Sequence, residues 1–465
     1  MTRTSPEAPA RSGFPSARCY LAVALGFVAF AIYGSLIPFE WRHLDPGVAW
    51  EQFGRTFQFS PTGRLSRSDV LANVLLFVPI GFSLAGARLV DRRGWMALLR
   101  TALLILPVSL AVSGAAEFLQ MFTSDRIPSG LDIVAQTVGT VLGIAAWQVI
   151  GQEFTNWIRE SLAAAPQDRA SRVLVAAAAA WIFVNLVPFD ITIDLGDLAR
   201  RVETGRISLV PFGGDLSGSR RDWDIVAKAV GTLPLGLLGV SVMYLRRMRV
   251  WPGAFLVGAG IVVSVECLQV FIRSHSADTG DALLGSLGVA AGIWIGTRVL
   301  PKPDGARAVV RSDARSWRAL GLVGIWCLVL AAYHWQPYDF TVDKEAIRAK
   351  VAQISILPFA GYLRGSYLNA FNDLLTKLAL AVPFGVVASF VGGRNRVAFL
   401  STTVLWLIVA MCVFGLLEGG QFFLPSRVPD PSDVLVGVTG AYAGLLLGRW
   451  AGPGRPGVTK DDRPA

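Results

Sequence analysis

The sequence predicts an all-α, polytopic membrane protein with about twelve transmembrane helices in three parallel four-helix repeats. Three observations carry this expectation. Apolar runs long enough to cross a bilayer recur along the chain, a polar motif returns three times in register, and cationic residues gather in alternate loops. With 53% hydrophobic residues, 16% charged residues and a mean hydropathy of +0.51, the chain holds more apolar material than one soluble core would bury.

The apolar runs lie near residues 19–38, 70–90, 101–119, 133–150, 173–189, 225–244, 252–271, 282–298, 319–336, 374–391, 398–417 and 434–448. Most run about 18 to 22 residues, enough to span ~30 Å of hydrocarbon. The first follows Arg3, Arg11 and Arg18 but lacks a small-x-small exit, so it is expected to stay as a span and not to be removed as a leader. Cys19, Cys267, Cys327 and Cys412 all fall in or beside apolar runs and read as small core residues, not disulfides. None of the three histidines has a neighbour at metal-ligand spacing, so no metal and no cofactor is expected. The net charge of +10 reads as a topology signal and not as a nucleic-acid footprint.

The repeat is visible without gaps. "EFLQMFTSDRIPSGLDIVAQTVGTVLG" from Glu117 aligns with "ECLQVFIRSHSADTGDALLGSLGVAAG" from Glu266 and "EGGQFFLPSRVPDPSDVLVGVTGAYAG" from Glu418. Glutamate, glutamine at +3, phenylalanine at +5, aspartate at +15 and glycines at +22 and +26 coincide in all three. At +9 stand Arg126, His275 and Arg427, with Arg273 close to the histidine. A second motif precedes each: "DVLANVLLFVPIG" from Asp69, "DIVAKAVGTLPLG" from Asp224 and "DLLTKLALAVPFG" from Asp373. Earlier still come the pairs Pro38-Phe39, Pro188-Phe189 and Pro337-Tyr338. The repeats therefore cover 19–150, 173–300 and 318–450, joined by polar segments at 151–172 and 301–317. An even number of spans per repeat makes them parallel copies.

Sidedness follows from the loops. Arg92 and Arg93, Arg169 and Arg172, Arg246 to Arg249, Lys302 to Arg318, Arg394 and Arg396, and Arg455 and Lys460 fall on the same side as the N-terminal arginines. The positive-inside rule makes that side cytoplasmic, with both termini inside and the three polar motifs outside. The long outer loops 39–68, 190–223 and 338–372 mix charges with spaced apolar residues, as short interfacial helices do. Asp45-Pro46 fits a cap followed by a first helical residue.

Helical spacing gathers the polar residues of repeat 1. Glu117 and Gln120 share a face, as do Asp69 and Asn73, while Asp132, Gln136, Gly139 and Gly143 form one stripe. The glycine pairs 139/143, 288/292 and 440/444 read as close helix contacts. Glu117 sits at the negative end of its helix dipole and calls for a cation, for which Arg126 is the nearest candidate. Where repeat 1 has Asn73, the others carry Lys228 and Lys377, expected to pair with Asp224 or Glu266 and with Asp373 or Glu418. Three readings fit: ion pairs that staple helices, an outer pocket for a polar headgroup or amphipathic ligand, or a carboxylate pair for acid–base chemistry on a lipid-linked substrate.

The quoted motifs resemble the VanZ-like family of bacterial membrane proteins, whose founding member is associated with teicoplanin resistance. Asn73, Phe77, Pro79, Gly81, Glu117, Gln120, Arg126, Asp132 and Gly139 carry the resemblance. It implies a role in the envelope at the cytoplasmic membrane of a bacterium, with the lipid bilayer and an amphipathic or lipid-linked ligand as partners. The ligand-binding set would be Asp69, Asn73, Glu117, Gln120, Arg126 and Asp132. Repeats 2 and 3 depart from the pattern, with lysine for asparagine and, in one, histidine for arginine. Asp224, Lys228, Glu266, Gln269, His275 and Asp281, and Asp373, Lys377, Glu418, Gln421, Arg427 and Asp433, are therefore expected to be structural.

Overall fold

A computed structural model describes residues 13–37, 39–56, 67–92, 94–124, 128–164, 166–187, 191–211, 228–245, 249–299, 312–354, 357–363, 367–389, 391 and 396–451. The protein is all-α and polytopic. Among the described residues nine helices are long and apolar enough to cross a membrane. Three shorter apolar helices, Ser171–Leu186, Lys228–Val240 and Ala319–His334, fall where three of the other expected spans lie.

The chain divides into two compact units, one of residues 1–164 with 357–371 and the other of 165–356 with 372–465. In the first, α1 (Ala17–Leu36), α3 (Arg67–Leu89), α4 (Trp95–Gln120) and α5 (Gly130–Ala146) form the bundle. Helix α3 packs against the other three. The short α2 (Pro46–Thr56) starts where expected, with Asp45 Oδ1 accepting from the Gly47 amide at 2.8 Å. Helix α5 runs through a π turn at Trp147–Gly151 into α6 (Gln152–Ala163). Residues 152–163, expected only as a polar connector, are thus helical. They are tied back by Tyr20 to Thr155 at 2.7 Å and by Arg159 to Asp91 at 2.5 Å.

The second unit holds the other two repeats. Its first bundle comprises α7 (Pro166–Leu186), α9 (Leu233–Leu245), α10 (Val250–Gln269) and α11 (Thr279–Val299), with α8 (Leu195–Glu203) in the connecting loop. A two-residue parallel pairing joins β1 (Ile207–Ser208) to β2 (Ala277–Asp278). Its second bundle comprises α12 (Ser312–His334), α15 (Tyr367–Ala388), α16 (Arg396–Gln421) and α17 (Pro431–Ala451), and α13 (Lys344–Gln353) is its loop helix. The four-residue α14 (Ala360–Leu363) belongs to the first unit.

Glycine sets the crossing of the second and fourth helices in every repeat. A Cβ added at Gly139 would meet the Val74 carbonyl and Phe77, and one at Gly143 the Val78 carbonyl. Gly288 and Gly292 stand likewise against Ala229 and Leu233, and Gly444 against Val382. The motif glycines Gly81, Gly236 and Gly385 make the reciprocal approach to Thr140, Val289 and Ala441. Backbones this close leave no room for a side chain, which is how small residues drive helix association in lipid. Hydroxyl groups add hydrogen bonds between helices, Ser109 with Thr140 at 2.6 Å and Thr232 donating to the Gly285 carbonyl at 2.8 Å.

The segment after each first helix folds onto the phenylalanine at +5 of the motif. Arg42, Thr192 and Thr341 donate their amides to the Phe122, Phe271 and Phe423 carbonyls at 2.8, 2.8 and 2.6 Å. One unpaired backbone acceptor per repeat is thereby satisfied at a helix end.

Candidate functional site

At one end of each bundle the polar residues of the motif converge, and the three repeats solve the same charge problem differently. In repeat 1, Glu117 is 1% exposed, and its Oε2 accepts from the Ser129 amide at 2.9 Å, twelve residues on. It thereby closes the turn into α5, whose first amides Ser129 also caps. Asn73 on α3 takes a hydrogen bond from Gln136 Nε2 at 3.2 Å and also faces Asp132. Asp69 lies near enough to Asp132 for the carboxylates to repel. Gln120 is buried at the end of α4. Arg126, the expected partner of Glu117, lies outside the described residues.

In repeat 2 the position of Asn73 belongs to Lys228, whose Nζ stands 3.1 Å from Glu266 and 3.0 Å from Asp281. The expected Glu266 partnership is present and Asp281 joins it; Asp224 lies outside the described residues. Gln269 donates to the Asn185 carbonyl at 2.8 Å. The two candidate cations part company: Arg273 pairs with Asp197 at 2.9 Å, while His275 meets Ser274 at 3.2 Å. Desolvation alone would raise the Asp197 carboxyl, but hydrogen bonds and the Arg273 and Arg200 guanidiniums hold it below the usual carboxylate range.

In repeat 3 the lysine stands between two aspartates. Lys377 pairs with Asp373 at 2.7 Å, one of its two expected partners, and Asp433 joins it at 2.6 Å. The glycine crossing of α15 and α17 brings the second and fourth helices together and so puts Asp433 within reach of Lys377. Glu418 instead meets His334 Nδ1 at 3.2 Å, Gln421 Nε2 at 2.8 Å and the Asp430 amide at 3.2 Å. Arg427 donates to the Gln336 carbonyl at 2.8 Å.

Two cations escaped the sequence reading. The loop helices are capped alike by Asp45, Asp194 and Asp343, and seven residues after each cap stand Gln52, Arg201 and Lys350. Arg201 is buried and donates to the Val270 and His275 carbonyls at 2.5 and 2.7 Å, and Lys350 to those of Gln421 and Leu424. Each places a positive charge on the negative end of the third helix. The shared spacing after the cap was the signal. Hydrogen bonds to charged groups contribute about 1.5–3 kcal/mol, so Arg201→Ala should lower thermal stability in detergent by roughly that amount. Exposed Gln52→Ala should leave it unchanged.

Fold and site together define a multi-pass membrane protein built from three copies of one four-helix unit, each with an acid-rich polar cluster at the same end. The chain belongs to the VanZ/LLP1 family, whose model matches residues 19–151, 166–300 and 320–452. No curated protein and no solved structure matches it.

Proposed function

We propose that repeat 1 is the working copy, and that it binds an amphipathic or lipid-linked envelope molecule at the outer face of a bacterial cytoplasmic membrane. Asp69, Asn73, Glu117, Gln120, Arg126 and Asp132 are the proposed binding set, and repeats 2 and 3 the scaffold. One observation carries this reading. Lysine joins the acids of repeats 2 and 3, whereas Asn73 takes its position in repeat 1 and leaves Asp69 and Asp132 partly exposed without an ion pair among the described residues. Partly exposed polar groups at a membrane-helix end favour a site over a staple.

The test is complementation of a deletion strain scored for lipoglycopeptide sensitivity, surface glycan and lipid-linked precursors, at matched protein levels. Asp132→Asn should fail to complement, while Asp281→Asn and Asp433→Asn should complement whatever protein survives. Equal loss in all three at normal abundance would show a symmetric protein and overturn the assignment.

Orientation is tested separately. On a background without native cysteines, exposed Ser124, Ser276 and Val428 changed singly to cysteine should react with an impermeant thiol reagent added outside, and Ala163→Cys should not. The arginine-rich loops motivate this expectation. Reversed labelling would place the clusters inside.

A further inference from the structure

The second and third repeats contain, within their own chain, a chemical picture of what the first lacks. In both, a primary ammonium sits against the aspartate at +15: Lys228 Nζ is 3.0 Å from Asp281, and Lys377 Nζ is 2.6 Å from Asp433. A second acid completes each seat, Glu266 at 3.1 Å in one and Asp373 at 2.7 Å in the other. Repeat 1 keeps the aspartates of this seat, Asp69 and Asp132, in the first turns of α3 and α5, but Asn73 is too short and uncharged to occupy it.

A second position changes with the first. Four residues after the aspartate, repeats 2 and 3 carry Gly285 and Gly437, where a Cβ would strike Val262 or Phe414. Repeat 1 carries Gln136, 3% exposed, with Nε2 on Asn73 and Oε1 without a hydrogen-bond partner among the described residues. A buried amide oxygen left unmatched is costly. Asp69 and Asp132 repel one another, and neither has an ion pair among the described residues.

We infer that repeat 1 binds the primary ammonium group of an external membrane amphiphile at the seat occupied by lysine in the other repeats, with Asp69, Asp132 and Gln136 Oε1 as its acceptors. An alkylammonium has three N–H donors and no acceptor, which matches three acceptor groups. Position argues for an amphiphile: both aspartates are half-buried at the ends of apolar helices, where a headgroup lies while its chain stays in lipid. A quaternary ammonium has the charge but no donor, so the seat should discriminate against it. The inference rests on repeat 1 being the ligand-binding copy.

Thermal unfolding of the full-length protein in uncharged detergent, with octylammonium, octyltrimethylammonium or sodium chloride at equal ionic strength, tests it. Octylammonium should raise the Tm, and the other two should not. Asp132→Asn should weaken the octylammonium effect at least tenfold in concentration. Asn73→Lys should raise the Tm without any amine and abolish the response, because the seat is then filled from within; its gain in stability shows that the lost response is not misfolding. Equal stabilisation by the quaternary amine, by sodium chloride alone, or of Asn73→Lys by octylammonium would overturn the inference. The two readings fail separately. Octylammonium binding as described, with Asp132→Asn complementing fully in cells, refutes the envelope role and keeps the seat. Failed complementation with no amine response refutes the seat and keeps the role.

Discussion

Replacing Gly139 by leucine is expected to abolish recovery of folded protein. The Cβ alone would lie within contact distance of the Val74 carbonyl and 2.9 Å from the Phe77 Cβ, and neither α3 nor α5 has a flexible group there that could yield. Overpacking a core usually costs about 1–3 kcal/mol because side chains give way. Here the obstacle is backbone, so the helices must separate and the cost lies above that range. Separation would also undo the Asn73–Gln136 hydrogen bond, which bridges α3 and α5. Gly292→Leu and Gly444→Leu should behave alike, since a Cβ at either meets a carbonyl of the facing helix, Leu233 or Val382. Gly114→Leu is the control: it lies on α4 with nothing within 4 Å and should be tolerated. Size-exclusion profiles and thermal unfolding of detergent extracts read the result. A Gly139→Leu protein as abundant, monodisperse and stable as Gly114→Leu would show that the close crossing is not required.

What the sequence made legible was whatever repeats in register. Glycines at +22 and +26 announced a close helix contact because only close backbones need small residues at that spacing three times over, and the structure supplies the partner, the second helix of each repeat. Asp45 announced its loop helix for a similar reason, since a capping residue and Pro46 are local signals. Contacts between helices far apart in sequence were legible only in part: Lys228 meets Glu266, one of the two acids expected for it, but Asp281 and Asp433 were not foreseen as lysine partners. The cross-helix partner of Lys377 depended on whether the third or the fourth helix stands nearer, and an i,i+4 argument, which finds Asp373, cannot rank them. His334 was invisible as a partner of Glu418 for the same reason: it lies 84 residues away on the first helix of its repeat. In that position, three before the proline, repeats 1 and 2 carry Ser35 and Asn185. Arg201 and Lys350 were read as part of amphipathic loop helices, and no spacing rule says that such a helix turns down onto a neighbouring helix end.

The lysines offer the sharpest energetic test of the scaffold role. Lys377→Met keeps the length of the side chain and removes the charge, leaving Asp433, 5% exposed, without its ammonium. Asp373 is 42% exposed at its side chain and can turn to water, so the cost falls mainly on Asp433. Removing one partner of a buried pair costs about 3–5 kcal/mol, because the remaining charge keeps its desolvation penalty and loses its compensation. Membrane yield and detergent Tm should fall accordingly, and Lys377→Met with Asp433→Asn should recover much of the loss. Lys228→Met should act in the same direction, since it strands both Glu266, whose Oε2 already lacks a hydrogen-bond partner among the described residues, and Asp281. Lys228 is 24% exposed at its side chain, so the lower part of the range applies there. Repeat 1 has no such lysine to lose, and this is why its acids are assigned to a ligand and those of the other repeats to the scaffold. If both methionine variants match the wild type in yield and Tm, the ion pairs do not hold these bundles together, and the division of labour between the repeats loses its physical basis.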